Sequence, residues 1–158
     1  MNLSLNFPLS QMTKSETAAK YGIDNTPDST QIKNAIYLCK MTLQPLRHWY
    51  STMILSSSWF RCKELNDHDK IKGSKTSFHL TGGAIDINSV GLEKLIDVVE
   101  FVYRNLYFTE MIAEYLPTGW IHLATIEGRE DERVLKVKDK NHNYKVVTLE
   151  ELKEILNG

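Results

Sequence analysis

His79, Asp86 and His122 are the residues whose types and spacing could do chemistry. His79 and Asp86 share the stretch Ser77-Phe78-His79-Leu80-Thr81-Gly82-Gly83-Ala84-Ile85-Asp86, and His122 closes Gly119-Trp120-Ile121-His122. Two imidazoles and one carboxylate suit a catalytic zinc, which takes three protein ligands and keeps its fourth position for water. A histidine alone in a strand is ordinarily a hydrogen-bonded side chain, so the set of three carries this reading. His48 and His142 have no partnered motif, and His68 lies between Asp67 and Asp69 in a charge-dense loop that solvent accounts for; all three are excluded as ligands.

The segments around these residues must bring them together. Ala84 to Asn88 alternates apolar and polar residues, so Asp86 points away from Ile85 and Ile87; Trp120 to Ala124 likewise sets His122 opposite Ile121 and Leu123. If the two strands are neighbours, Asp86 and His122 share a face. Gly82 and Gly83 permit a tight turn or a positive φ between His79 and Asp86, which lets both side chains converge on one ion.

The remaining chain reads as scaffold. Ser10 to Tyr21 carries a short helix or two, stopped at Gly22, and Ile23 to Pro27 is a turn. Asp28 caps a helix in which Ile32, Ala35, Ile36, Cys39, Leu43 and Leu46 form one buried face, with Met41 and Trp49 also assigned to the core. Pro45 bends or breaks that helix, because it lacks an amide donor and crowds the preceding turn. Thr52 to Ser56 is a strand leading to Arg61, Lys63 to Lys70 a short helix or loop, and Gly73 to Ser77 a loop that delivers His79.

Leu92, Leu95, Ile96, Val99, Phe101, Val102 and Leu106 recur at helical spacing, so Gly91 to Leu106 predicts an amphipathic helix over one face of a sheet. Phe108 to Glu114 and Trp120 to Ile126 form an antiparallel hairpin across a Pro and Gly turn, returning Glu114 beside the His122 strand. Val134 to Val137 and Tyr144 to Val147 form a second hairpin, and Thr148-Leu149-Glu150-Glu151 is a capping box opening a last helix. This tail is assigned no chemistry. The fold expected is α+β, a small, mainly antiparallel sheet carrying the zinc site with helices packed on it.

Composition narrows the function classes. With 42% hydrophobic and 25% charged residues the chain resembles an ordinary soluble globular protein, long enough for one core. A net charge of -1 gives no footprint for nucleic acid or an anionic membrane. No charged leader with an apolar core and no apolar run of spanning length occurs, so the expectation is a cytoplasmic protein as synthesised, reaching a cell wall only by lysis or a separate export route. Cys39 and Cys62 form no Cys-x-x-Cys pair and read as reduced thiols, with Cys39 in the core.

The pattern Ser-x-His-x-x-Gly-x-Ala-x-Asp, followed by Glu114 and Trp-Ile-His, resembles the zinc peptidases of the D-Ala-D-Ala carboxypeptidase family, whose wider group includes the lysostaphin-type peptidases and the hedgehog domain. Leu3 to Ser10, Ala18 to Pro27, Leu43 to Arg47, Ser57 to Asn66 and Gly73 to Ser77 look like its phage and prophage branch, so the resemblance runs from about Leu3 to about Glu132. It implies one zinc peptidase domain over residues 1–158, with its core at about 3–132 and the hairpin and helix of 133–158 appended.

The resemblance also implies roles. Zn²⁺ would be held by His79, Asp86 and His122; Arg61, in a Ser-x-x-x-Arg setting, would bind substrate near the metal. Ser77, in the loop before His79, is read as a contact to substrate or to backbone, and Trp120 as a further substrate contact. Many members carry the catalytic acid three residues before the second histidine, where this chain has Gly119. The nearest carboxylates upstream are Glu110 and Glu114; in the phage-type branch a glutamate ends the preceding strand, a pattern like Ile112-Ala113-Glu114, so Glu114 is the expected base and Glu110 the competing candidate. The substrate implied is a peptidoglycan peptide, cut at a D-Ala-D-Ala or L-Ala-D-Glu bond; the alternative is a non-catalytic zinc-binding interaction domain of hedgehog-like fold.

Overall fold

The computed structural model describes residues 1–157. In chain order the elements are β1 (Asn2–Ser4), β2 (Phe7–Pro8), α1 (Leu9–Thr13), α2 (Glu16–Tyr21), α3 (Ser29–Leu38), a π-helical segment (Cys39–Leu43), α4 (Gln44–Tyr50), β3 (Ile54–Ser58) and α5 (Lys63–Asp67). A 3₁₀ turn (Phe78–Thr81), β4 (Ala84–Val90), α6 (Leu95–Asn105), β5 (Glu110–Glu114), β6 (Trp120–Ala124), β7 (Val134–Lys138), β8 (Tyr144–Val146) and α7 (Leu149–Asn157) follow. The architecture is α+β, as expected. β1 and β2 pair as a small ribbon, and the other strands form a six-stranded sheet in the order β3-β4-β6-β5-β7-β8.

Every neighbouring pair in that sheet is antiparallel except β5 with β7, which run parallel. Alternation divides its faces. Ile85, Ile87, Ile121, Leu123, Met111 and Leu135 are buried in the core, whereas Asp86, His122, Glu110, Glu114, Lys136 and Lys138 line a cleft on the other side. Each fully buried Ile or Leu contributes about 1.5–3 kcal/mol, so the core face fixes the register that presents the polar one.

α3 begins with a capping box: the Asp28 carboxylate accepts from the amides of Thr30 and Gln31, and the Gln31 side chain accepts from the Asp28 amide. The same helix grips the 3₁₀ turn, since Gln31 Nε2 donates to the Leu80 carbonyl (3.1 Å) and Asn34 Nδ2 to the Thr81 carbonyl (2.9 Å). Gly82 ends that turn at φ 79°, and a Cβ there would meet the Gln31 carbonyl oxygen at 2.4 Å. Only glycine fits both the left-handed backbone and the close approach of α3.

At Pro45 the regular α-helix is interrupted: the π-helical segment just before it widens the turn around the carbonyl that proline leaves without a donor, and the path continues into α4. Three expectations are corrected. Ile36 is exposed, because the buried stripe runs through Ala35, Leu38, Cys39 and Thr42 and leaves it at the edge. Leu92 is fully exposed in the turn before α6, which starts only at Leu95. Trp49 is 67% exposed and stacks on the outside of Phe101, with ring centroids 4.8 Å apart, instead of entering the core.

Candidate metal centre

The 3₁₀ turn, β4 and β6 each contribute one donor. Asp86 and His122 are directly paired across β4 and β6, as the alternation of their strands requires. His79 Nε2 lies 3.1 Å from Asp86 Oδ1 and 3.1 Å from His122 Nδ1, and His122 Nδ1 lies 3.0 Å from Asp86 Oδ1. A tetrahedral zinc with bonds of about 2.0–2.1 Å separates its ligand atoms by roughly 3.3 Å, so this triangle of nitrogen and oxygen donors fits the ion. Among the described residues this is the His, Cys, Asp or Glu cluster suited to a metal.

Neighbouring groups hold the donors in ligand-competent form. His79 Nδ1 lies 2.5 Å from the Trp59 carbonyl, which can only accept; Nδ1 therefore carries the proton and Nε2 offers its lone pair. Burial lowers the His79 pKa below its ordinary value, keeping the imidazole neutral. Burial alone would raise the Asp86 carboxyl, but the adjoining His79 and His122 outweigh it and hold the group well below the carboxylate range.

The triangle lies in a cleft of ≈ 610 Å³. Arg61, Ser77, Glu114 and Trp120 all line it, so every site residue expected from the sequence faces one space. The Arg61 amide donates to the His79 carbonyl at 3.2 Å, tying the two segments together. Burial lowers the Arg61 pKa, a shift opposed by Asp86, Glu114 and Tyr144, which line the same cleft. Its Nε and the Trp120 Nε1 are buried donors without a hydrogen-bond partner among the described residues. The Ser77 hydroxyl accepts from the His79 amide at 3.3 Å, capping the 3₁₀ turn.

Glu114 ends β5 opposite Trp120, which puts it on the same sheet face as His122. The glycine at position 119 has a structural reason: a Cβ there would lie 1.8 Å from the Glu114 carbonyl oxygen. A carboxylate cannot be carried three residues before His122 without moving the end of β5. Glu110 lies on the other side of the imidazole, with Oε1 3.8 Å from His122 Nε2 and Oε2 2.5 Å from Lys136 Nζ. It therefore faces the ring nitrogen turned away from the donor triangle.

The tail assigned no chemistry supplies part of this cleft. Lys136, Lys138 and Tyr144 line it, and Lys138 Nζ lies 2.9 Å from Glu114 Oε2. Alternation in Val134-Leu135-Lys136-Val137-Lys138 is the sequence signal that both lysines share a face; nothing local says that β5 is the neighbour. A second cleft, of ≈ 650 Å³, follows β3 on the far side of Arg61 and holds none of the metal-suited donors.

His68 packs on Tyr21 and His142 meets the Tyr115 hydroxyl at 2.6 Å, so neither joins the triangle, and His48 is also outside it. Cys39 and Cys62 are free, and burial pushes the Cys39 thiol up to about 12. No helix among the described residues is long and apolar enough to cross a membrane. No curated protein matches the sequence. A family model described as peptidase M15 matches residues 5–124, a stretch that holds all three donors, Arg61 and Glu114. With that match over most of its length and a donor set that fits the metal, the chain belongs to the peptidase M15 family of zinc-dependent peptidases.

Proposed function

We propose that this protein hydrolyses a peptide bond in bacterial peptidoglycan, with His79, Asp86 and His122 holding zinc and Glu114 as general base. The observation that carries the reading is the donor triangle set in a cleft beside a strand-end glutamate and two buried donors without partners. Zinc in such a site supplies a Lewis acid and lowers the pKa of water from ~16 toward ~7. Glu114 takes the proton of the attacking water and returns it to the leaving amine, a role worth about 10² to 10⁴ in rate.

Arg61 and Trp120 bind the substrate. A peptide oxygen entering the cleft would satisfy Arg61 Nε and Trp120 Nε1, which otherwise carry the cost of burial without a hydrogen bond. Ser77 acts mainly through His79, whose turn it caps. The bond cut is of the D-Ala-D-Ala carboxypeptidase or L-Ala-D-Glu endopeptidase type. Residues 1–158 act as one peptidase domain, a view supported by the pairing of β7 with β5 in the same sheet.

Incubating the zinc-loaded protein with purified peptidoglycan fragments and weighing the products tests the proposal. Release of D-Ala, or of fragments split after L-Ala, is the expected result. Intact fragments with zinc bound would favour a binding domain instead.

A further inference from the structure

We propose that Lys138, on a strand beyond the family match, is a positioning residue for Glu114; the inference rests on the reading of Glu114 as the base. The matched stretch ends at Ala124, whereas Lys138 closes β7. Glu114 and Lys138 stand directly opposite in the parallel β5–β7 register, and Lys138 Nζ donates to Glu114 Oε2 at 2.9 Å. Their side chains are 10% and 17% exposed, so solvent does little to loosen the pair.

Lys138 is itself confined. Its ammonium lies 4.9 Å from the Tyr144 ring centroid and 5.4 Å from that of Tyr115, an aromatic setting that favours a cation. Burial works against its charge, but the Glu114 carboxylate, which accepts its hydrogen bond, outweighs it and holds the lysine above its ordinary range. A charge-assisted bond to Oε2 fixes the carboxylate plane and leaves Oε1 to take the proton. A surface ion pair would add little, but this one lies inside the cleft, which Arg61 also lines.

The proton accounting leaves Lys138 unchanged. Water loses a proton to Glu114 as its oxygen bonds to the carbonyl carbon; when the C–N bond breaks, Glu114 gives that proton to the nitrogen. Lys138 keeps all three of its protons and acts only through the geometry of the carboxylate. It is therefore distinct from Arg61 and Trp120, which face the substrate.

The test is a double-mutant cycle on the zinc-loaded full chain, with Lys138→Met and Lys138→Arg made alone and in a Glu114→Gln background. Lys138→Met is expected to lower kcat about tenfold or more with KM and zinc content unchanged, and Lys138→Arg to recover most of the loss. With Glu114→Gln already in place, Lys138→Met should cost nothing further. An unchanged kcat, or losses that simply multiply, overturns the proposal. If the wild type cleaves no wall fragment, the proposed function fails separately, and crystal structures of zinc-loaded wild type and Lys138→Met decide the positioning. A Glu114 carboxylate displaced in the variant supports it, and an unmoved one overturns it. Should Lys138→Met not fold, the same measurements on Lys138→Gln apply.

Discussion

Arg61 shows how a single residue joins fold and chemistry: its amide holds the carbonyl of His79 while its guanidinium, partly stripped of water, lines the same cleft as Asp86 and Glu114. On the proposed role, replacing it with alanine removes a charge-assisted contact to substrate, worth on the order of 2.7–4 kcal/mol at a developing oxyanion. Arg61→Ala should therefore lower kcat/KM by roughly 10² or more at full zinc occupancy; an unchanged value would return the residue to a structural role. Glu110 acts from the opposite side of His122. With Lys136 clamping its second oxygen, it is placed to orient the imidazole, and such outer partners typically govern metal affinity by about 10–100-fold. Competition with a chromophoric chelator should show that weakening in Glu110→Gln, whereas equal affinity would mean that Glu110 does not hold the ring.

Among the elements, the 3₁₀ turn bearing His79 depends most on one residue. Gly82 combines φ 79° with a Cβ direction blocked by the α3 backbone, so Gly82→Ala should destabilise the protein by about 1–3 kcal/mol and loosen zinc together with it. Urea unfolding and zinc titration of the variant check this, and wild-type values in both would show that α3 yields. The strands bearing Asp86 and His122 are legible in the sequence because period-two alternation is local, and the His79 turn is legible through its glycines. The role of Lys136 and Lys138 is not, since it depends on β7 crossing to lie parallel to β5, a tertiary pairing that no local pattern encodes. The exposure of Trp49 and Leu92 is missed for a related reason: an apolar type gives no information about whether a neighbour covers it.

At the scale of the whole molecule, the donor triangle links the 3₁₀ turn to β4 and β6, so metal bound there stabilises the folded state by mass action. Chelation should lower Tm, and added zinc should restore it. In the chelated protein, the pKa of His79 is depressed from 6.5 by burial, so the unfolded chain takes up the proton first as pH falls. Stability is full above about 6.5 and declines below it, toward the folded value of His79; the depressed Asp86 adds a further loss below about 3.9. A urea midpoint falling from pH 7 to pH 4 is expected, and a flat one would contradict the burial argument. The most direct measurement compares zinc-loaded wild type with Glu114→Gln on purified peptidoglycan fragments, with products followed by mass and zinc by stoichiometry. The account predicts cleavage by the wild type and a loss of roughly 10² or more in Glu114→Gln, with about one zinc per chain in both; full activity in the variant, or no cleavage by the zinc-loaded wild type, would contradict it.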